Sequence, residues 1–324
     1  MSGCEGSVEQ VKVAIVGAGP AGVGAAVRLT KLGIGPVVVI EREAQVGGIP
    51  AKYAGDDVPT YVMWTQGRII PGYRYAEKLR RELEQANAAL HLESTVIGLD
   101  SAANILTVGS PGRGKWQIRA DAILLACGAR ESSRAERGWV YGHRPAGVYF
   151  TSNILDLARS LKRMPADAAV IGSEVMSYAT AAKMAAAGAK RIVMADNAVR
   201  PRSFLPKRLF FYRWARPAWA NQSHYASIRG KRAVEQVELP AGRTVSAKEV
   251  AITGQLTPNS ELVMEAGLAV NTLSRAVGDV KDYRIGESGV FVAGNILGLT
   301  CSGQWAYFTG RWAAGQVAKY LRAL

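Results

Sequence analysis

The chain has 324 residues, 48% of them hydrophobic, and a mean hydropathy of +0.03. This length predicts about two globular domains, and no apolar run approaches the ~20 residues that a membrane-spanning helix needs. The first ten residues, MSGCEGSVEQ, carry acids where a secretory signal is basic and then apolar, so we expect a cytoplasmic protein, with peripheral attachment at the inner membrane face left open. The net charge of +14 favours anionic partners in general.

Residues 11–22, VKVAIVGAGPAG, combine a β-strand pattern with a glycine turn and the start of a helix. The spacing predicts a dinucleotide-binding turn whose helix N-terminus offers free N–H groups to the phosphates. Gly17 permits the tight turn, Gly19 lets a pyrophosphate touch the backbone, and Gly22 lets the helix lie close to the sheet. Two more predicted cofactor-binding residues begin the helix: Pro20 and Ala21.

The second strand of this unit, PVVVIE, ends at Glu41, nineteen positions after Gly22. An acid at this point accepts hydrogen bonds from the adenosine ribose hydroxyls. Arg42 and the pair Gly47-Gly48 continue the adenosine-binding loop, and the glycines let the chain pass under the pyrophosphate. The amino-terminal unit is therefore predicted to hold a dinucleotide cofactor.

Residues 49–72 read as an irregular stretch that we expect to lie over the reactive end of the cofactor. Arg68 is a candidate to clamp a substrate carboxylate with two hydrogen bonds. Five side chains are candidates to line the pocket: Tyr53, Asp57, Tyr61, Trp64 and Arg68. The patterns that follow predict a helix over 73–88, a strand over 90–98, hairpin strands over 105–108 and 116–119, and an apolar strand within 120–131.

A second strand–helix–strand unit covers 168–172, 176–187 and 191–196, but its turn departs from the dinucleotide pattern. Glu174 and Ser177 stand where the second and third glycines belong. A carboxylate at the pyrophosphate position repels the ligand and blocks its approach, so we expect a domain that keeps its fold and does not bind NAD(P)H in the usual way. The alternative is a displaced loop that restores binding.

The segment 197–234 contains no Asp or Glu, and its nine Lys and Arg residues are interleaved with seven aromatic residues. Three interpretations are open: a solvated insertion that covers the active site, a docking face for a second protein of a complex, or a contact with an anionic membrane. Nucleic-acid binding is disfavoured because no recognised motif accompanies the charge. Beyond this segment we expect strands within 235–254, a strand over 289–295 and a helix over 304–324.

The three cysteines, Cys4, Cys127 and Cys301, form no CxxC pair. This count and spacing argue against a disulfide framework, a zinc site, an iron–sulfur cluster and a redox-active dithiol. The three histidines are too scattered to form a metal site, so no metal is predicted. They are His91, His143 and His224.

Taken in order, the motifs GAGPAG, Glu41, Gly47-Gly48, ACGARE and GVFVAGN resemble those of the two-dinucleotide-binding-domain flavoproteins, the glutathione and thioredoxin reductase superfamily. Within it, the chain is most similar to the flavoprotein subunits of opine oxidase and hydrogen cyanide synthase. This narrower resemblance rests on GGIP (47–50), PGYRYA (71–76), GARE (128–131), RPAGV (144–148) and VAGN (292–295). Where those proteins continue GGIP with Arg-His-Cys, this chain has Ala-Lys-Tyr, so the resemblance carries no substrate over.

The resemblance implies FAD as the cofactor, with residues 49–72 over its isoalloxazine ring, and it implies further cofactor-binding residues. Gly294 and Asn295 fall in the segment that holds the flavin ribityl chain, with Asn295 replacing the usual Asp. The helix that follows would point its N-terminus at the flavin pyrimidine edge, near Gln304 and Trp305. Cys127, followed by Gly128, stands where the superfamily usually has Thr, and a small buried residue that ends a strand is the favoured interpretation of it.

The resulting fold prediction is α/β. It is an FAD-binding Rossmann-like domain with a three-layer (β-β-α) arrangement, into which a second Rossmann-like domain of the NAD(P) type is inserted. We expect the first over 1–148 and 268–324 and the second over 149–267. The predicted function is FAD-dependent oxidation of a small amine, imino acid or hydroxy acid, either with a partner dehydrogenase subunit or as a homodimer. Four residues are candidates for a catalytic role: Tyr61, Trp64, Arg68 and Gln304.

Two other functions stay open at this point. One is an NAD(P)H-dependent flavin reductase that lacks a CxxC pair. The other is a non-catalytic scaffold that binds a nucleotide and organises a complex.

Overall fold

The structure is a computed structural model that describes residues 8–52, 58–59, 61–65, 68–133, 135–136, 144–155, 164–196, 198–220, 227–239, 243–299 and 302–324. It divides into two compact units. The first comprises Met1–Lys52, Arg74–Arg130 and Leu256–Leu324, and the second comprises Tyr53–Tyr73 and Glu131–Gln255. No helix in the described part of the chain is both long and apolar enough to cross a membrane.

The helices and strands have the following bounds. In chain order the strands are β1 Val8–Val16, β2 Val37–Ile40, β3 Val62–Thr65, β4 Arg68–Pro71, β5 Ala89–His91, β6 Thr95–Asp100, β7 Ile105–Ser110, β8 Gly114–Leu125, β9 Ala129–Glu131, β10 Val148–Phe150, β11 Asp167–Ile171, β12 Arg191–Ala195, β13 Ala218–Ala220, β14 Ser227–Arg229, β15 Gln236–Glu238, β16 Thr244–Ser246, β17 Glu249–Ile252, β18 Leu256–Pro258, β19 Val280–Lys281, β20 Arg284–Ile285 and β21 Val290–Val292. The helices are α1 Pro20–Lys31, α2 Ile49–Lys52, α3 Gly72–Gln85, α4 Val175–Ala186, α5 Leu205–Phe211, α6 Glu261–Glu265 and α7 Gly303–Ala323, with a 3₁₀ turn at Gly294–Leu297.

The first unit is built on a sheet whose central strands β5, β2, β1, β8 and β21 run parallel. All four residues of β2 are buried, as expected of a parallel strand that is covered on both faces. One face packs against an antiparallel ribbon of β6, β7 and the first half of β8, which contributes Leu106 and Ile118 to the same apolar cluster as Val38. Helices α1 and α7 pack against each other, and a Cβ added at Gly22 of α1 would lie 3.4 Å from the Ile15 side chain of β1.

The predicted hairpin strand over 116–119 and the predicted apolar strand that follows it are one continuous strand, Gly114–Leu125. Its first half pairs antiparallel with β7, while it also pairs parallel with β1 from Gln117 to Leu125. The hydrophobic pattern of the sequence changes along this strand because its two halves have different neighbours. The backbone itself continues without a break. The prediction of two separate strands was therefore wrong.

The second unit contains a five-stranded parallel sheet in the order β10-β17-β11-β12-β13, with α4 packed on it through residues such as Tyr178 and Ala182. A three-stranded antiparallel sheet, β14-β15-β16, completes it. The predicted α/β class, with two Rossmann-like units and one inserted in the other, is confirmed.

The division of the chain differs from the predicted boundaries at three places. Residues 53–73 belong to the second unit, since Val58 and Val62 are buried in the apolar cluster that includes Ile154. This stretch was expected to be irregular, yet β3 and β4 form an antiparallel hairpin within it. Residues 131–148 also belong to the second unit, where Val148 begins edge strand β10, and residues 256–267 belong to the first.

Candidate functional site

The first glycine turn joins β1 to α1 at the carboxyl edge of the parallel sheet. Gly17 has φ +105°, and a Cβ added to it would lie 2.6 Å from the carbonyl oxygen of Ala126. A Cβ on Gly22 would lie 1.8 Å from the carbonyl oxygen of Gly17. Both positions therefore exclude any side chain, and α1 begins directly against the turn.

Gly19 differs from these two glycines because space above it is open. It is the N-cap of α1, and no side chain caps the helix. A Cβ at Gly19 would meet only the Cα of Gly48, at 3.9 Å. Pro20, the first residue of α1, has no N–H, so the free N–H groups that face this space begin at Ala21, and a pyrophosphate can enter there.

Glu41 lies immediately after β2 and is 6% exposed. Its carboxylate accepts hydrogen bonds from the N–H of Ala18 at 2.7 Å and from the N–H of Glu43 at 2.9 Å. The acid is thereby fixed beside the glycine turn with a defined orientation. The neighbouring Arg42 is exposed and pairs with Glu43 at 3.5 Å.

The loop with Gly47 and Gly48 closes against the same turn. The N–H of Gly47 donates to the carbonyl oxygen of Ala18 at 3.0 Å. Gly48 has φ +58°, and a Cβ there would lie 3.0 Å from the Cα of Gly19. Side chains are therefore excluded from this wall of the cradle as well.

Cys127 and Gly128 follow β8, next to the turn. Burial raises the pKa of the Cys127 thiol to about 12. The thiol contacts the carbonyl oxygen of Val16 at 4.0 Å and stays protonated at neutral pH, so it is not a nucleophile. Asn259 holds the segment, since its side-chain amide donates to the Cys127 carbonyl at 2.8 Å and its backbone N–H donates to the Gly128 carbonyl at 3.0 Å.

Gly294 and Asn295 begin the 3₁₀ turn that leads towards α7. The N–H of Gly294 donates to the hydroxyl of Thr309 at 3.0 Å. A Cβ at Gly294 would lie 2.9 Å from the Cβ of Ala21, which places this segment against the start of α1. A shallow cleft beside it is lined by Ala129, Leu256, Pro258, Asn295, Gly298 and Leu299.

Helix α7 begins at Gly303, and the hydroxyl of Ser302 caps it by accepting from the N–H of Trp305 at 3.3 Å. Gln304 is half-buried, while Trp305 is 50% exposed. The indole of Trp305 packs edge-on against Trp312, with ring centroids 5.3 Å apart, along the outer face of the helix. The structure thus directs Trp305 along α7 and towards solvent.

Helices α1 and α7 touch through their backbones. A Cβ at Gly24 would lie 2.3 Å from the carbonyl oxygen of Tyr307, and a Cβ at Gly310 would lie 1.9 Å from that of Ala21. The glycine roles at 24 and 310, and the roles of Asn259 and Thr309, were missed in the sequence. Small residues at 306, 310, 313 and 314 of α7 are the signal that could have revealed the close crossing.

The second glycine turn has the same backbone course as the first, but a side chain fills the space that is open above Gly19. Gly172 has φ +123°, and Glu174, two residues later, is the N-cap of α4. The Glu174 carboxylate accepts from the N–H of Ser173 at 3.1 Å and from the hydroxyl of Ser177 at 3.3 Å. A Cβ at Gly254 would lie 2.5 Å from the same carboxylate, which therefore occupies the space between the turn and Gly254.

Asp196, which follows β12, is buried and engaged within the protein. Its carboxylate accepts from the hydroxyl of Ser173 and from the N–H of Ala198. The guanidinium of Arg202 lies 3.4 Å from it, and the N–H of Arg202 donates to the Ser173 hydroxyl at 3.1 Å. Asp196, the acid at the position that would accept hydrogen bonds from a ribose, is thus occupied by hydrogen bonds and an ion pair within its own unit.

Three of the five predicted substrate-side residues, Tyr61, Trp64 and Arg68, lie in or beside the β3–β4 hairpin of the second unit. Trp64 pairs with Ile69, and Arg68 pairs with Thr65, as backbone partners in the hairpin. The carbonyl oxygen of Tyr61 accepts from the N–H of Gly72 at 2.7 Å. Tyr53 and Asp57 lie outside the described residues. The assignment of all five to a substrate pocket stays a prediction.

Within the described residues, no group of three or more His, Cys, Asp and Glu side chains is arranged to hold a metal ion.

Comparison with known proteins places this geometry in context. The family model described as pyridine nucleotide-disulphide oxidoreductase matches residues 11–318. An opine oxidase subunit of Agrobacterium tumefaciens is 26% identical over 93% of this chain, which spans 64% of that protein. The soluble pyridine nucleotide transhydrogenase of Serratia proteamaculans is 24% identical over 95% of this chain and 70% of that protein. The crystal structure of thioredoxin reductase from T. acidophilum has a TM-score of 0.74 at 16% identity and covers 96% of this chain and 99% of its own.

Proposed function

The chain belongs to the pyridine nucleotide-disulphide oxidoreductase family, and on that premise we propose that it is an FAD-dependent oxidoreductase that takes electrons from a small amine, imino acid or hydroxy acid and not from NAD(P)H. The family predicted from the motifs is confirmed. Because the members of this family are FAD-binding flavoproteins, FAD is confirmed as the cofactor.

The cradle of the first unit fits FAD. The open space above Gly19, the uncapped start of α1 and the buried carboxylate of Glu41 match a pyrophosphate and a ribose. Gly294 and Asn295 lie beside the start of α1, where they can hold the middle of the cofactor. Bound in this cradle, FAD would supply the acceptor for a hydride from the substrate carbon that bears the nitrogen or oxygen. That nitrogen or oxygen would release its proton to solvent, and the substrate would become an imine or a carbonyl compound.

The observation that carries the choice of electron donor is the position of the Glu174 carboxylate. It lies at the N-terminus of α4, where a dinucleotide would place its pyrophosphate, and it accepts the N–H of Ser173. An incoming pyrophosphate would meet a like charge and would have to displace these hydrogen bonds. Asp196 is likewise engaged, by the hydroxyl of Ser173. The electrons are therefore proposed to come from a reduced organic substrate.

Thiol chemistry is not part of the proposal. Attack on a disulfide requires a thiolate, and burial holds the pKa of Cys127 at about 12. The sequence has no CxxC pair from which a redox-active dithiol could form. These two facts support an electron donor other than a dithiol.

The similarity to one component of an opine oxidase supports a role within a heteromeric dehydrogenase or oxidase. Because this chain spans 64% of that relative, partner and substrate remain proposals for the chain itself. The mass of the purified protein in solution distinguishes a heteromer from a homodimer.

The proposal is tested by anaerobic mixing of the FAD-loaded protein with NADH, with NADPH and with a panel of amines, imino acids and hydroxy acids. We expect the flavin absorbance to bleach with one of the organic substrates and to persist with either nucleotide. Rapid bleaching by NADH or NADPH would establish the flavin reductase alternative instead. Failure to bind FAD, or a flavin that cannot be photoreduced and reoxidised, would establish the scaffold alternative.

A further inference from the structure

The second unit exposes a surface on which large apolar and basic side chains lie close together in sequence. Its apolar members are 49–65% exposed: Val199, Phe204, Leu205 and Leu209. Its basic members are three exposed arginines: Arg200, Arg213 and Arg216. We call these seven residues the arginine–leucine surface.

The fold of α5 explains why these apolar side chains face outward. Phe211 is fully buried in the apolar cluster of the second unit, and α5 packs against α4. Leu205 and Leu209 are four residues apart and share a helix face, so burial of Phe211 leaves that face in solvent. Phe204 precedes the helix at its N-cap and is also exposed.

The charge of the surface is of one sign. No Asp or Glu occurs between 197 and 234. The nearest preceding acid, Asp196, is 7% exposed and is already engaged by Ser173 and Arg202. The guanidinium of Arg213 lies 4.5 Å from the ring centroid of Phe210, which places a positive charge beside the residue that follows Leu209 in α5.

We propose that the arginine–leucine surface binds the surface of an anionic lipid membrane, a function that goes beyond the proposed redox activity. Lipid phosphates supply the negative charge that complements the three arginines. The apolar side chains between them match the acyl boundary just below the phosphates. A protein partner would have to be both acidic and apolar over the same small area, whereas an anionic bilayer presents these two properties at successive depths.

The test is sedimentation of the full-length, FAD-loaded protein with vesicles of phosphatidylcholine alone or of phosphatidylcholine mixed with phosphatidylglycerol. We expect binding to the anionic vesicles only, with an affinity that falls as salt is added. Leu205→Ser with Leu209→Ser should weaken binding about tenfold. Arg200→Gln with Arg216→Gln should weaken it about thirtyfold at low salt.

Matched variants in the first unit control for general loss of apolarity or charge. Ile97→Ser with Leu273→Ser removes residues that are 52% and 95% exposed, and Lys319→Gln with Arg322→Gln removes two charges from exposed positions of α7. Both should bind vesicles as the unmodified chain does. Retention of FAD and an unchanged melting temperature confirm that every variant is folded.

Three results would overturn the proposal. The first is no binding to the anionic vesicles. The second is binding that both double variants leave unchanged. The third is self-association in solution that Leu205→Ser with Leu209→Ser abolishes, which would assign the surface to a second copy of the chain.

Discussion

The two glycine turns of this protein share a backbone and differ in what occupies the space above it. Gly19 has φ −72° and ψ −176°, and Glu174, at the matching N-cap, has φ −71° and ψ 174°. These are extended conformations that any residue adopts, so glycine is not required at 19 by the backbone. It is required because a ligand needs the volume that a side chain would fill. The comparison shows that a βαβ unit can keep its fold and replace its ligand with one carboxylate.

The acids of the two units show the same contrast. Glu41 accepts only backbone N–H groups among its described contacts, from Ala18 and Glu43. The Asp196 carboxylate accepts a hydrogen bond from the hydroxyl of Ser173 and lies beside the guanidinium of Arg202. A ribose hydroxyl would compete with these side-chain groups at Asp196. At Glu41 it would add to the existing bonds.

The strongest way to break the contrast is to give the first turn the side chain of the second. Gly19→Glu should fold, because its φ of −72° suits any residue, and it should weaken FAD binding by about a thousandfold or more through repulsion and lost volume. Absorbance of the purified protein and a titration with FAD measure this. Gly112→Glu is the matched control, since nothing lies within 4 Å of a Cβ there. Retention of FAD by Gly19→Glu would contradict the assignment of the cradle.

A smaller effect is expected at the acid of the first unit. Glu41→Gln keeps the shape of the side chain but removes its charge. It weakens the bond from Ala18 and the bond that a ribose hydroxyl would make. We expect FAD binding to weaken by about thirtyfold, measured by fluorescence titration. Glu43→Gln, whose exposed carboxylate pairs with Arg42, should leave the affinity unchanged.

The reverse exchange empties the second turn. Glu174→Gly removes the carboxylate that lies against Ser173 and Gly254, and we expect binding of NADPH to strengthen by about tenfold. Isothermal titration measures it, with Glu174→Gln as an intermediate that retains the volume without the charge. Binding of NADPH by the unmodified chain as tight as by Glu174→Gly would show that Glu174 does not block the site.

The smallest effect concerns stability in the second unit. Burial raises the pKa of Glu249 to about 7, and in the described part of the chain its Oε2 atom is buried without a hydrogen-bond donor. The folded state thus holds the proton more tightly than the unfolded state. Stability is present below the unfolded pKa of 4.5 and is lost as the pH rises through the folded value. Because the residue is partly exposed, the loss should be on the order of 1 kcal/mol.

Thermal melting between pH 4 and 8 follows this loss, and Glu249→Gln should remove it. Glu238→Gln, at a partly exposed acid of the same unit that pairs with Arg229, is the control and should keep the pH dependence. A pH dependence that persists in Glu249→Gln would assign it to another group.

The sequence predicts features that depend on residues near one another in the chain better than features that depend on distant contacts. The strand, turn and helix around Gly17 and Gly22 follow from a spacing of a few residues, as does the departure at Glu174. The bonds from Asn259 to Cys127 and Gly128 join positions more than a hundred residues apart, so no local pattern reveals them. The same holds for the placement of 53–73 in the second unit, which is decided by packing of Val58 and Val62 against distant residues. The sequence pattern predicted two strands in place of β8, because the first half of β8 pairs with β7 and the second half pairs only with the parallel strands.

The backbone crossing at Gly24 and Gly310 has a mechanical consequence. At these two positions no side chain separates the backbones of α1 and α7, so neither helix can slide past the other there without a clash. The wall that would cradle the diphosphate and the outer aromatic ridge of Trp305, Phe308 and Trp312 are thus parts of one stiff body. We therefore expect a displacement of that ridge to move the nucleotide end of the unit with it.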